Sequence, residues 1–155
     1  MGDPSLRSGI QRGICFYTYM SERPKVGVGV FVVRDGKILV GQRQGSHGAE
    51  MWALPGGHLE INESIADCAR REISEESGIC ITNIRHLDFT NDVLQAEGKH
   101  YVTLFVVADW VSGEAEIQEP EKCLEWRWVE WPHIPEPLLW PLQNFINQGA
   151  DPFRV

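Results

Sequence analysis

No stretch of this chain approaches the roughly 20 consecutive apolar residues that a membrane-crossing helix needs. The first segment, MGDPSLRSGIQRGICFYTYMSE, also lacks a continuous apolar run ending in a small-residue cleavage site. Together these absences predict a cytoplasmic protein with no membrane partner. The four cysteines, Cys15, Cys68, Cys80 and Cys123, form no CxxC pair and no metal-ligand spacing, which fits reduced thiols rather than a disulfide framework. Cys68 and Cys80 read as small core residues. Positive charge is scarce as well: 14 Lys and Arg against 22 Asp and Glu leave a formal net charge of -8. That balance excludes non-specific binding of a nucleic acid polymer, which rests on Lys and Arg neutralising phosphates. A small phosphorylated ligand remains open, provided that a local cation offsets the acidic field.

What is present suits one domain. The chain has 155 residues, 43% of them hydrophobic and 23% charged, the profile of an ordinary globular protein. Residues 1–22 read as a flexible N-terminal extension, with residues 1–19 taking no part in the chemistry, and residues 23–155 as the domain. VGVGVFVV (26–33) and KILVGQR (37–43), separated by Arg34-Asp35-Gly36, predict a β-hairpin. SHGAEMWALPGGH is a turn-rich loop. A helix follows from Ser64, where Ser64 and Asp67 resemble a capping box, and stops at Gly78. IRHLDFTNDVL and HYVTLFVVADW form a second strand pair joined through Gly98, SGEAEIQEPEKC an acidic loop, and LEWRWVEW a half-buried strand on which Trp126 and Trp128 share one face. WPLQNFINQG predicts a short helix with Pro141 in its first turn. Strands around a central helix, with another helix at the end, indicate an α/β fold with a mixed sheet between helices.

The central helix carries the chemistry. At 100° per residue Ile65, Cys68 and Ala69 share one sector, and Glu72, Glu75 and Glu76 fall in the same sector. Like charges three and four residues apart repel, so a purely structural helix gains nothing from the arrangement. A hard divalent cation resolves the conflict, because Mg²⁺ takes carboxylate oxygens together with waters and substrate phosphates. Arg71 is placed to orient a neighbouring carboxylate.

Gly57, five residues, Glu63, seven residues, then Arg71-Glu72-Ile73-Ser74-Glu75-Glu76-Ser77-Gly78-Ile79 resembles the Nudix box, GX5EX7REUXEEXGU, at every fixed position. The resemblance implies the Nudix fold, an α/β/α sandwich, and a MutT-like hydrolase with Mg²⁺ or Mn²⁺ as cofactor. It also implies that Glu72, Glu75 and Glu76 are metal-binding and water-activating carboxylates, with the base either Glu72 or Glu76. Arg71 would be an orienting ion-pair partner, Glu63 a support of the box, and Gly56 and Gly57 loop backbone near metal and phosphates.

Beyond the box, RPKVGVGV, LVGQRQGSHG, HYVTLFV, EPEKCLEWRWVEW, LLWPL and GADPF are similar to the Nudix branch that contains the animal thiopurine-nucleotide diphosphatase and its plant cytosolic counterpart. By that resemblance Leu54, Gly56, Thr103, Trp140, Pro141 and Leu142 line the pocket for the base or other leaving portion, and Arg43 and His58 contact substrate. Glu119 or Glu121 could bring a further carboxylate. Pro141 has no backbone N–H, so no base can be read through that group. The expected activity is a Mg²⁺-dependent nucleoside triphosphate pyrophosphatase, acting as a homodimer on (d)NTPs or modified purine nucleotides. Two alternatives are a prenyl diphosphate or dihydroneopterin triphosphate hydrolase, and a nucleotide-binding module without catalysis.

Overall fold

The computed structural model describes residues 22–45 and 47–154. The N-terminal extension expected from the sequence therefore lies outside the described residues, apart from Glu22. The elements in chain order are β1 (Lys25–Arg34), β2 (Lys37–Arg43), β3 (Trp52–Ala53), β4 (Gly56–His58), α1 (Ile65–Ser77), β5 (Cys80–Leu94), β6 (Lys99–Ser112), β7 (Cys123–Glu130) and α2 (Trp140–Asn147), with a 3₁₀ turn at Gln95–Glu97.

One mixed sheet runs β3-β2-β1-β6-β5, with β4 joined to β1 and β7 to β2. β1 and β6 are parallel, with Gly27 beside Thr103 and Gly29 beside Phe105. The remaining pairs are antiparallel. The hairpin turn uses Asp35 and Gly36, both at positive φ, as a two-residue turn between twisted strands requires. The loop read as turn-rich contains two short strands that its glycines hid. β4 completes its ladder across Gly27 to Gly29 of β1, and only a residue without a side chain fits where Gly56 crosses Val28.

Each face of the sheet is covered by one helix. α1 packs on Val28, Val30, Val32, Leu39, Val106 and Ala108, using Cys68, Ala69 and Ile73. The opposite cluster sets Phe145 and Leu142 of α2 against Phe31, Phe105, Val40 and Val107. Phe31, Phe105 and Phe145 meet with ring centroids 4.8–5.9 Å apart. This is the expected α/β/α sandwich. Alternation along the strands allots the residues: Trp126 and Trp128 pack against the α1 cluster, and Trp131 against the α2 cluster.

Both ends of α1 follow the capping signals. Ser64 accepts the Asp67 N–H at its start, and Gly78 takes a left-handed conformation at its end. The acidic loop then docks on that end, with the Glu116 and Gln118 N–H groups donating to the Ser77 and Glu76 carbonyls. Helix ends leave such carbonyls without intrahelical partners. Their satisfaction brings residues 114–122 beside the last turn of α1. Cys68 is fully buried, as expected, and burial above all pushes its thiol up to about 12. Cys80, expected in the core, is instead exposed at the first position of β5, an edge strand. Among the described residues no helix is long and apolar enough to cross a membrane.

Candidate active site

Arg71 is the hub of the loop and helix that carry the carboxylates. Its Nε and Nη2 donate to the two oxygens of Glu63 at 2.7 and 3.0 Å, a bidentate fork that fixes both groups. Nη1 donates to Glu72 at 2.8 Å and to Glu75 at 3.4 Å, and Nη2 reaches the His58 carbonyl at 3.1 Å. One guanidinium thus ties the turn before α1, the end of β4 and the side of α1 together. The Arg71 hydrogen bonds, with a backbone N–H from Glu60, hold the Glu63 carboxyl down at about 2.

The three helix glutamates are not equivalent. Glu72 is only 14% exposed and turns toward Arg71. Glu76 accepts the Gly56 N–H at 3.0 Å, so the backbone of the Gly56-Gly57 turn is tied to the helix. Glu75, placed by the helical wheel in the inward sector, is 56% exposed. The buried stripe runs instead through Cys68, Ala69, Ile73 and Ser77, which leaves Glu75 at the rim. Gly57 lies directly under Glu72, where a Cβ would collide with the carboxylate.

Among the described residues no three acidic, histidine or cysteine side chains converge into a ready-made cage. The donor set nevertheless fits a hard dication that keeps several waters: three carboxylates, of which Glu72 and Glu76 face inward. Burial above all, then the charges of Glu72 and Glu119, pushes Glu76 up to about 8 against the pull of the Gly56 N–H and Arg43. A group so placed gains from a cation nearby.

The shift sets a pH dependence. In protein stripped of divalent ions with a chelator, folded Glu76 holds its proton up to about pH 8, whereas an unfolded glutamate releases it near about pH 4.3. The stabilising contribution is therefore full below about pH 4.3 and is lost progressively as pH rises from there through about 8, an effect on the order of a few kcal/mol. Melting temperatures across roughly pH 5 to 9 should fall in wild type and stay flatter in Glu76→Gln. Parallel curves would contradict the assignment.

The residues expected to hold substrate surround adjoining hollows that share Arg43. One of about 60 Å³ carries Glu76, Glu119, Leu54 and Trp126. The next, about 130 Å³, is walled by Leu54, Gly56, Gly57, Thr103, Pro141 and Leu142, with His58 at its edge. The third, about 300 Å³, adds Trp140 and Tyr101, the latter stacked on His58 at 6.1 Å. Every substrate-pocket candidate named from the sequence thus lines the cleft that these three hollows make up around Arg43. Trp52, close to Leu54 in the sequence, lies instead in the core at 4% exposure.

Of the two loop glutamates, Glu119 reaches this cleft, paired with Lys122 at 2.7 Å. Glu121 does not line it. The Trp126 ring N–H, on a residue that lines the same hollow as Glu76, is buried with no hydrogen-bond partner among the described residues. Neither Lys122 nor Trp126 was picked out as a site residue from the sequence, since a loop lysine and a strand tryptophan carry no motif. A larger hollow of about 630 Å³ lies against Arg23, Lys25, Lys99 and His100, away from all the glutamates of the box.

Comparison with known proteins places these features in a family. Residues 23–148 match the NUDIX domain model. Among curated proteins, the chain is 26% identical to an RNA pyrophosphohydrolase of Novosphingobium aromaticivorans over 85% of this chain and 92% of that protein. It is 33% identical to the nucleoside triphosphatase NudI of Escherichia coli, over 51% of this chain and 61% of that protein. Among solved structures, a MutT NUDIX hydrolase from Burkholderia pseudomallei superposes with a TM-score of 0.76 at 33% identity, covering 82% of this chain and 98% of that one. With the box residues gathered around Arg71 and the model spanning nearly all of the described residues, the chain belongs to the Nudix hydrolase family.

Proposed function

We propose that this protein is a divalent-cation-dependent nucleoside triphosphate pyrophosphatase, cleaving an NTP or dNTP to the monophosphate and pyrophosphate. The observation that carries the reading is the junction at Arg43. The hollow beside Glu76 and the apolar-walled hollow under α2 meet there, so one ligand can lay its phosphates on the carboxylate side and its base on the other. The NudI and RNA pyrophosphohydrolase relatives support phosphoanhydride substrates of nucleotides.

Glu72 and Glu76, with Glu75 at the rim, are the residues that would hold Mg²⁺ or Mn²⁺. Such an ion, when bound, would neutralise phosphate charge and acidify a water. The chain's own part is positioning, which dominates phosphoryl transfer. Arg71 holds Glu72 in place. The Gly56 N–H fixes Glu76, and the side-chain-free Gly57 leaves room for Glu72 beside the turn. Arg43 supplies a cation for the phosphates in an acidic protein, and Leu54, Leu142 and Pro141 exclude water around the leaving portion. Water adds to phosphorus and gives up a proton to Glu72 or Glu76, one P–O–P bond breaks, and the departing oxygen leaves on pyrophosphate or on the nucleotide.

The test is a substrate panel: dNTPs, oxidised and thio-substituted GTP, dihydroneopterin triphosphate and geranyl diphosphate, each with Mg²⁺, with products separated by chromatography. Monophosphate plus pyrophosphate from the nucleotides is expected. Preference for the prenyl or pterin compound would replace this reading, and no turnover of any compound would return the chain to a binding role. A homodimer belongs to the same proposal; exposed Phe89 and Val93 on β5 offer apolar surface to bury, and a monomeric mass in light scattering would remove it.

A further inference from the structure

Asp92 is 1% exposed although it lies on β5, an edge strand, and neither the box nor the cleft lining accounts for it. It lies on β5 two residues beyond Thr90, which faces Thr103 directly across the β5–β6 ladder. Residues two apart share a face of a strand, so Thr90, Asp92 and Thr103 meet on the side covered by α2. Asp92 Oδ2 accepts the Thr90 hydroxyl at 2.9 Å and the Thr103 hydroxyl at 3.1 Å. Its Oδ1 accepts the Asn144 amide at 2.7 Å. Asn144 stands one turn after Trp140 on α2, so the helix that roofs the cleft is tied to the strand behind it.

A carboxylate accepts and cannot donate, and a hydroxyl has one proton to give. The Thr103 proton is spent on Asp92. What Thr103 can offer the cleft, whose wall it forms, is a lone pair. The group that meets it must bring a hydrogen. A ligand presenting its own lone pair there would leave two acceptors facing each other out of water, a costly arrangement. Few other groups can relieve that restriction. Around the 130 Å³ hollow the polar side chains are Arg43, His58 and Thr103, and Pro141 brings no N–H.

We propose that Asp92 is a positioning residue for substrate selectivity: by taking the Thr103 hydroxyl proton it makes Thr103 an obligate acceptor, so that the cleft selects a nucleotide whose base edge carries an N–H, of the lactam type, over one that presents a bare ring nitrogen. This rests on the nucleotide reading of the cleft. It gives the buried Asp92 carboxylate, whose three hydrogen bonds already offset its burial, a role beyond tying α2 to β5.

The experiment compares kcat/KM for inosine triphosphate, which carries a ring N–H, with purine riboside triphosphate, which carries a bare nitrogen at that position. Wild type, Asp92→Ala, Thr103→Val and the double variant are measured, with melting curves for each. A site built to hydrogen-bond a ligand group rejects the analogue lacking it strongly. We expect wild type to favour inosine triphosphate at least about 10-fold, and each single variant to bring the ratio to within about 3-fold of unity. In the Thr103→Val background, Asp92→Ala should change the ratio no further. A purely structural role for Asp92 would slow both substrates equally and leave the ratio intact, which overturns the proposal. Should Asp92→Ala fail to fold, Thr103→Val decides alone: a wild-type ratio there also overturns it. Hydrolysis of both compounds at equal rates by wild type would refute the inference while the nucleotide reading stands. Hydrolysis of neither would end both.

Discussion

Glu76→Gln is expected to lower nucleotide hydrolysis roughly 10²- to 10⁴-fold, the range for losing a positioned acid–base group, while the fold becomes no less stable. The substitution is nearly isosteric. The carbonyl of the introduced amide can still accept the Gly56 N–H that Glu76 accepts at 3.0 Å. What is lost is a charge that burial and the neighbouring carboxylates Glu72 and Glu119 already disfavour. In chelator-treated protein at about pH 8 the variant should therefore melt at or above the wild-type temperature. The pairing of lost activity with retained stability is the informative result, because most inactivating changes in a core lower both. Activity within a few-fold of wild type would show that Glu76 serves the fold and not the reaction. A large fall in melting temperature would show that its ionised form is needed for packing.

The second large effect is expected at Gly56, on stability. Gly56 sits at φ +153°, a conformation that L side chains rarely adopt, and an added Cβ would overlap the Val28 carbonyl of β1. That neighbour is backbone, and it cannot swing aside as a side chain can. Gly56→Ala should therefore cost at least about 3 kcal/mol, a fall of roughly 6–12 °C in melting temperature for a domain of this size. Gly57→Ala offers the contrast. Its Cβ meets the carboxylate end of Glu72, which can move, so activity should fall further than stability does. A small change in melting temperature for Gly56→Ala would mean that β4 can leave β1 freely, and that the turn beneath the carboxylates is not rigid.

Legibility from the sequence followed the range of the interactions. The α1 helix was readable at both ends because capping is local: Ser64 bonds Asp67 within the first turn, and Gly78 needs only its own φ. The hairpin at Asp35-Gly36 was readable for the same reason. Periodicity erred where it treated a sector of the helix as uniform. Glu75 lies within the wheel's inward side, yet the sheet covers a narrower stripe centred nearer Ile73, and Glu75 is left at the rim beside Arg71. The short strands β3 and β4 escaped because their glycine-rich surroundings signal a turn, while their pairing partners lie outside that loop, in β2 and β1.

The residues of the box announced themselves by spacing, and the likeness to known relatives carried the cleft lining. Which loop glutamate comes near Glu76 was settled only by the docking of residues 116–118 on the last turn of α1, which brings Glu119 to the cleft and leaves Glu121 off its wall. Asp92 had one faint signal, a charge at the same strand parity as Thr90 in TNDV. Its meaning depends on Thr103 from the next strand and on Asn144, 52 residues along the chain.

From the sequence alone follow the family resemblance, the carboxylate helix and its caps, because these rest on residue identity and short spacing. Tertiary structure decided which carboxylates turn inward, which hydroxyl gives up its proton, and how the hollow beside Glu76 and the hollow under α2 come together at Arg43. Those outcomes depend on burial and on contacts between segments distant in the chain, and neither is encoded in any local pattern.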